Sequence, residues 1–398
     1  MKSSKIKRMY TLAFIFALHI SISAYISSVF LTQIIKENFV GILYTLASLL
    51  TLILLAKSSG ILKNFGNKRL TLIFLIINMI SLVGLITSSN PFIIGASFIL
   101  FTTTNTLIYF CIDIFIEHFG NPETIGKTRG LYLTILNFAW MLSPFISVLL
   151  ITREGGYRAI FTLAFVMVFI MTVGLLFSVR TFEDKVYSKT PFLETYKFLK
   201  TNRHILAIMI INFILQFFYA WMIVYTPIYL FNHLNFTWTQ IGIIFTIMLF
   251  PFVILGLPVG TLIDKYHISK RTLLYVGFFI IIGSTFTISF ITTKSLAVWA
   301  IILFISRVGA TIIETTSETY FFYHVKEEEA HLLSVFRDMV PVAYIIAPLI
   351  ATGVFFFLPF KYLFVILSVV LLSGFYYIPH LKHNHPYPNE NIIPNPNQ

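Results

Sequence analysis

Charge is what this 398-residue chain has least of: Asp, Glu, Lys and Arg together make up 11% of it, against 57% hydrophobic residues. A soluble protein of this length would carry more than twice that share, so the composition excludes an ordinary globular enzyme and places the chain in a membrane class. Cysteine is nearly absent. Cys111 is the only one, which excludes an intrachain disulfide and any cysteine metal cluster. No G-x-x-x-x-G-K-[ST] run occurs, so nothing cradles a nucleotide phosphate and ATP is not used directly. Long polar stretches are also missing, apart from residues 180–204 and the Pro- and Asn-rich end after Pro379.

What is present is apolar sequence in lengths that fit a bilayer. About 20 predominantly apolar residues cross a hydrocarbon core of about 30 Å. Such runs fall near 9–32, 39–57, 69–88, 91–118, 128–151, 157–179, 205–231, 239–262, 272–291, 295–323, 330–357 and 360–379. Backbone groups in lipid must pair within their own segment, and runs this long and continuous are helices rather than barrel strands. The reading is an all-α polytopic membrane protein of 12 transmembrane helices. The first run follows Lys2, Lys5, Lys7 and Arg8 in the manner of a signal peptide, but it is too long and lacks a small-x-small cleavage site. It is therefore expected to stay as helix 1.

The twelve runs form two sets of six that repeat each other. Gly41 with Tyr44-Thr45 returns as Gly242 with Phe245-Thr246; Lys68-Arg69 returns as Lys270-Arg271. Asp113 returns as Glu318, Ser143-Pro144 with Ser147 as Ala347-Pro348 with Ala351, and Tyr157-Arg158 as Phe360-Lys361. The offsets stay between 201 and 205 throughout. A parallel repeat of this kind points to two six-helix bundles with a site between them. The expected division is 1–179, a linker at 180–204, a second bundle at 205–379 and a disordered tail at 380–398. Within the linker, Phe192, Tyr196 and Phe198-Leu199 are spaced for a short surface helix.

A net charge of +12 invites a nucleic-acid partner, but its distribution does not. With the N-terminus inside, 22 Lys/Arg fall in cytoplasmic segments and 5 on the opposite side, leaving Arg307 within a span. That bias is a topology signal, predicting both termini in the cytoplasm of a cell-membrane protein and no nucleic-acid binding.

Around the loop between helices 8 and 9 the chain reads Gly260-Thr261-Leu262-Ile263-Asp264-Lys265-Tyr266, followed by Lys270-Arg271. This resembles the G-x-L-x-D-[RK] signature of the major facilitator superfamily, at the position of that family's second copy. The resemblance extends along the chain through the glycines opening helices 2 and 8, small-Pro-x-x-small in helices 5 and 11, and aromatic-basic-x-x-Phe opening helices 6 and 12. Two departures stand out. His267 replaces the glycine expected three residues after Asp264, and Lys63 or Asn64 stands where the first copy should have its acid. Helix 5 also lacks the glycine-rich run of drug–proton antiporters. The resemblance implies a fold of two parallel six-helix bundles, transport by alternating access, no cofactor, and a cavity lined by helices 1, 4, 7 and 10. It also implies a cytoplasmic gate at Gly260, Asp264, Lys265, Arg271, Arg129, Arg337 and Asp338. There Asp264 would meet the start of helix 5 at Arg129 or its free amides, while Asp338 would face Lys63, Lys68 or Arg69.

Polar side chains at helical spacing fall on those same four helices. Helix 10 carries Arg307, Thr311, Glu314 and Glu318 on one face; helix 4 carries Thr102, Thr106, Tyr109 and Asp113. Helix 1 offers His19, Ser23 and Ser27, and helix 7 offers Asn212, Gln216, Tyr219 and Thr226. An ionisable group at mid-span costs roughly 2.5–3.5 kcal/mol on insertion scales, so each asks for a reason. Solute binding is assigned to Arg307, Thr311, Asn212, Gln216, Tyr219, Tyr109 and His19, with packing hydrogen bonds as the alternative for His19, Asn212, Gln216 and Tyr219. Proton coupling falls to Glu314, Glu318 or Asp113, with a structural ion pair as the alternative for each, to Arg337 for Glu318 and to Arg129 for Asp113. Arg307 has no acid within direct reach on its own helix, and none stands at its depth on helices 1, 4 or 7. Its partner is therefore another helix or a ligand, which favours an anionic or zwitterionic solute.

The function expected is secondary transport of a small solute, coupled to protons or another ion, by a monomer. Two alternatives remain. One is a non-transporting sensor or partner-assisting protein of the same fold; the other is a membrane enzyme on lipid-linked substrates, which would need larger aqueous loops than these.

Overall fold

In a computed structural model, residues 2–120, 125–151, 156–179, 182, 184, 198–325 and 331–382 are described. The six helices of the first half are α1 (Lys2–Thr32), α2 (Glu37–Ala56), α3 (Ser58–Thr87), α4 (Pro91–Phe119), α5 (Ile125–Ile151) and α6 (Gly156–Ser178). The second half has α7 (Arg203–Ile228), α8 (Trp238–Ile254, resuming as Gly256–Asp264), α9 (Lys270–Ile288), α10 (Leu296–His324), α11 (His331–Phe355) and α12 (Leu363–Tyr377). Twelve of the described segments are long and apolar enough to cross a membrane. Their exposed side chains are themselves apolar (Phe92, Leu257, Phe279 and Phe357 among them), the reverse of a soluble surface and what a lipid solvent requires.

The helices start and stop where the local chemistry dictates. Asn90 caps α4 by accepting from the Phe92 amide, with Pro91 at the first helical position. Thr237 and Gln240 close a capping box on α8. Two boundaries depart from the apolar runs. Residues 58–65, read from sequence as loop, are helical, because Leu62 turns inward and is buried at that end of the bundle. The chain then breaks at Gly66, whose φ of +71° only glycine adopts cheaply. The Asn67 amide just beyond donates to the Asp184 carboxylate at 2.6 Å, so an acid from beyond α6 caps the resumed helix.

The repeat-related turn after α8 also carries a residue of positive φ, without the glycine. His267 lies at φ +51°, and the Tyr266 and Ile268 amides return to the Thr261 and Leu262 carbonyls. The position thus keeps a positive φ although its residue is no longer glycine. His267→Gly is expected to stabilise the protein by about 0.5–1 kcal/mol, the left-handed penalty partly offset by the greater freedom of glycine when unfolded. Thermal unfolding in detergent checks this, and an unchanged or lower midpoint counts against it.

Both described chain ends lie at one end of the bundle. Lys5 stands over the Phe119 ring at the close of α4, and the Lys382 amide donates to Tyr320 near the close of α10. The two halves meet along α2 with α11, α5 with α8, and α1 with α7. Those seams are tight away from the termini. A Cβ on Gly41 would run into the Tyr225 hydroxyl and stand 3.0 Å from Pro348 O, and one on Gly242 would meet Val148 and stand 3.3 Å from Pro144 O. The same far end is tied by Glu37 to His233 at 3.2 Å and by Asn232 to Thr32 at 3.2 Å.

The surface helix expected around Phe192 and Tyr196 lies outside the described residues, as does the tail from 383 onward, including His383 and His385.

Candidate functional site

A cavity of about 1580 Å³ lies between the halves and reaches the terminus-bearing end. Its wall is built from α1, α2, α4, α5, α10 and α11, with Ser58 from the start of α3, Ile223 alone from α7 and Asp264 from the end of α8. Helices 1, 4 and 10 line it as expected, and helix 7 is the exception. The Asn212 face of α7 is packed inward instead, and α2 and α11 take its share of the wall.

The stripe on α4 runs along the cavity as its spacing requires. From the blind end to the mouth it presents Phe98, Phe101, Asn105, Tyr109, Asp113 and Glu117. Tyr109 packs edge-on against Phe16, ring centroids 5.1 Å apart. Opposite it, Glu318 of α10 and Arg337 and Asp338 of α11 line the mouth. Arg337 donates to Asp113, an ion pair joining the two halves. The sequence offered Arg129 as the ion-pair partner of Asp113 and Arg337 as that of Glu318. The structure draws Arg337 across the mouth because α4 and α11 face each other there. The charged lining residues are then five acids, Asp113, Glu117, Asp264, Glu318 and Asp338, against one cation.

The blind end is a layer of tyrosines. Tyr44 of α2 and Tyr344 of α11 stack across the halves with centroids 6.3 Å apart. The Tyr44 hydroxyl is buried with no hydrogen-bond partner. Against this layer lies Arg307, 2% exposed, within electrostatic range of Tyr25 and Tyr344. Its guanidinium sits over Phe218 at 4.8 Å and Tyr219 at 5.9 Å, contacts worth about 2 kcal/mol when desolvated. Nη1 has no hydrogen-bond partner. The aromatic faces and the Tyr25 hydroxyl hold the charge, while Nη1 itself is left unsatisfied, which is costly in so dry a place.

The remaining candidates sort by depth. Glu314 accepts from the Tyr219 hydroxyl at 3.1 Å, placing both on the Arg307 side of α10 and behind the cavity wall. Thr311 donates to the Arg307 carbonyl one turn back. The Asn212 amide donates to Phe336 O at 3.0 Å and Gln216 donates to Asn212 at 3.4 Å, the cross-helix packing role the sequence held open. His19 is fully buried. Its Nδ1 meets Ala164 O at 2.8 Å and its Nε2 lies 3.3 Å from Asn105, whose Oδ1 accepts from Asn78 at 2.8 Å. A carbonyl only accepts, so Nδ1 carries a proton; the ring ties α1, α4 and α6 together and does not line the cavity.

At the gate, Gly260 has open space where a Cβ would stand. Asp264 is exposed, and Lys265 lies over Tyr266 at 5.7 Å. Arg271 donates to Leu381 O, bracing the chain end instead of facing the other half. The side chains of Thr128 and Arg129 lie outside the described residues, so the expected Asp264 contact falls there too. Among the described residues the ion pairs are Arg337–Asp113 and Glu37–His233. Asp338 with Lys63, Lys68 or Arg69 is not one of them, since Asp338 faces the cavity. Sequence reasoning missed Tyr44, Tyr344 and Asn105 as lining residues. Their only signal is position on the helix faces that carry Ser48, Arg337 and Thr102, respectively.

Twelve spans in two halves around a central cavity define a membrane carrier. The chain belongs to the Major Facilitator Superfamily, whose family profile matches residues 9–340. Among solved structures it is similar to a point mutant of the nucleoside transporter NupG, with a TM-score of 0.74 at 12% identity over 95% of this chain and 100% of that one. It is similar also to the human organic anion transporter MFSD10 (TETRAN), with a TM-score of 0.65 at 11% identity, covering 95% and 99%. A bacterial homolog to the human lysosomal transporter Spinster, inward-facing and unoccupied, aligns with a TM-score of 0.72 at 10% identity, covering 96% and 94%. No curated protein matches the sequence.

Proposed function

We propose that the chain is a secondary transporter, not an enzyme, that moves a small anionic or zwitterionic solute across a cell membrane by alternating access. The observation that carries the solute class is the buried Nη1 of Arg307, a charged donor without a partner beside the blind end of the cavity. Five acids at the mouth favour the zwitterion over a simple anion, because a net negative entrance repels the latter. The 22-to-5 bias in Lys and Arg supports a cytoplasmic location for both termini. On that orientation the cavity opens inward. The two neighbours named as nucleoside and organic anion transporters are compatible with a polar organic cargo, and at 12% and 11% identity they lend only the fold. The protein works as a monomer, since the cavity is complete within one chain.

Counterflow tests the carrier reading: liposomes preloaded with the right solute exchange it for labelled solute outside. Ligand binding without exchange would support a sensor instead. Proton coupling is assigned to Glu314, which shares the Arg307 face and already holds the Tyr219 hydroxyl. Glu314→Gln is expected to remove the dependence of net flux on an imposed pH gradient by about tenfold or more while exchange at equal pH persists. Retention of gradient-driven flux by this variant would remove Glu314 from the coupling step.

A further inference from the structure

The charges on and behind the wall of this cavity are segregated along its length, the acids on the wall and Arg307 buried behind it. Arg307 lies at the blind end behind Tyr25 and Tyr344, whereas Glu318, Asp113 and Glu117 stand at the mouth. On α10 the eleven residues from Arg307 to Glu318 rise about 16 Å along the axis, of which the two side chains span part. An α-amino acid holds its two charges only about 3 Å apart, too close to meet both ends at once. Between the ends the wall is aromatic: Phe98, Phe101, Tyr109 and Phe110 from α4, Trp140 from α5 and Tyr344 from α11. Flat faces of this kind stack on a planar apolar body.

We infer that the cargo is an elongated dipolar molecule with a carboxylate at one end, a flat aromatic middle, and an ammonium at the other. The carboxylate goes to the blind end, where the free Nη1 of Arg307 and the Tyr44 hydroxyl both lack a partner. The ammonium stays among the mouth acids and competes with Arg337 for Asp113. A cation held there loosens the one described ion pair that joins the halves at this end, so a cargo of the right length couples its own binding to release of that tie. The inference rests on the carrier reading for its direction of entry and on the cavity alone for its chemistry.

The test uses the full chain in nanodiscs, read by quenching of tryptophan fluorescence, with Trp140→Phe to identify the cavity signal. The probes are phenylalanine, 3-[4-(aminomethyl)phenyl]propanoate, the methyl ester of the latter, and its hydroxymethyl analogue without the amine. The long amino acid is expected to bind at least about tenfold more tightly than phenylalanine, and to lose about tenfold or more on esterification or on loss of the amine. Arg307→Ala should erase the preference for acid over ester, and Glu117→Gln with Glu318→Gln the preference for amine over alcohol. Arg307→Lys serves as the charge-retaining control, with elution as a single gel-filtration species as the check on folding. Equal or tighter binding of phenylalanine, equal binding of the ester, or no binding by any probe overturns the inference. Counterflow of the bound probe separates the two readings. Flux without length preference overturns this inference and leaves the carrier, whereas length-dependent binding without flux leaves the inference and removes the carrier.

Discussion

Replacement of Arg307 by alanine is expected to abolish solute flux while the protein still inserts and elutes as a single species. The guanidinium is 2% exposed and sits against Phe218 and Tyr219 of α7, so its loss opens a space lined by aromatic faces, which an apolar alanine tolerates. What disappears is the one described cation beside the blind end of the cavity. If the cargo presents a carboxylate there, the loss of a charged hydrogen bond in a dry site costs about 1.5–3 kcal/mol or more, a factor of roughly ten to a hundred in affinity. Arg307→Lys keeps the charge but not the planar fork, nor the stacking on Phe218. It is expected to raise the solute concentration for half-maximal flux with a smaller effect on the maximal rate. Concentration dependence of uptake into liposomes checks both variants, and wild-type flux in the alanine variant would leave Arg307 a packing residue.

How far this site is legible in the sequence depends on which contacts are local. The stripe on α4 is readable because a period of 3.6 fixes which residues share a face, and Tyr109 and Asp113 do line the cavity. The stripe on α7 obeys the same period but points at α10 and α11, since periodicity identifies a face and not what it faces. Asn212 therefore reaches Phe336 O, more than a hundred residues away. The aromatic seat of Arg307 is hidden for another reason. With 43 Phe and 20 Tyr in the chain, no single ring stands out until the fold selects Phe218, Tyr219 and Tyr344. Helix breaks are partly visible. His267 stands legibly in a glycine position, and it carries a positive φ of +51°. The helix from Ser58 to Gly66 escapes notice because its polar residues mask one buried side, at Leu62.

Valine at Gly242 and valine at Gly260 are expected to push the carrier in opposite directions. Gly242 sits in the closed seam of α5 with α8, where a Cβ would overlap Val148 and press on Pro144 O. Its repeat partner Gly41 occupies the matching seam of α2 with α11 against Pro348 O. Overpacking costs typically about 1–3 kcal/mol, and here the cost falls on the conformation closed at the far end. A change of that size shifts the balance between two conformations by about 5- to 150-fold. Gly242→Val should thus depopulate the form whose cavity reaches the terminus-bearing end. Gly260 is in open space in this conformation, so valine there is accommodated at no cost. The signature that it resembles implies that this glycine packs on the start of α5 when the terminus-bearing end closes, and on that expectation the valine would collide. Gly260→Val should hold the cavity open toward the termini. The sequence supplies a clean reporter, because its single cysteine, Cys111, is buried. A cysteine introduced at Ser48 on the cavity wall and labelled with a membrane-impermeant thiol reagent from the terminus-bearing side reads the population directly. Labelling should slow in the Gly242→Val background and hold or quicken in the Gly260→Val background, with flux reduced in both. Equal labelling rates in the two backgrounds would mean that these seams do not open and close as alternating access requires.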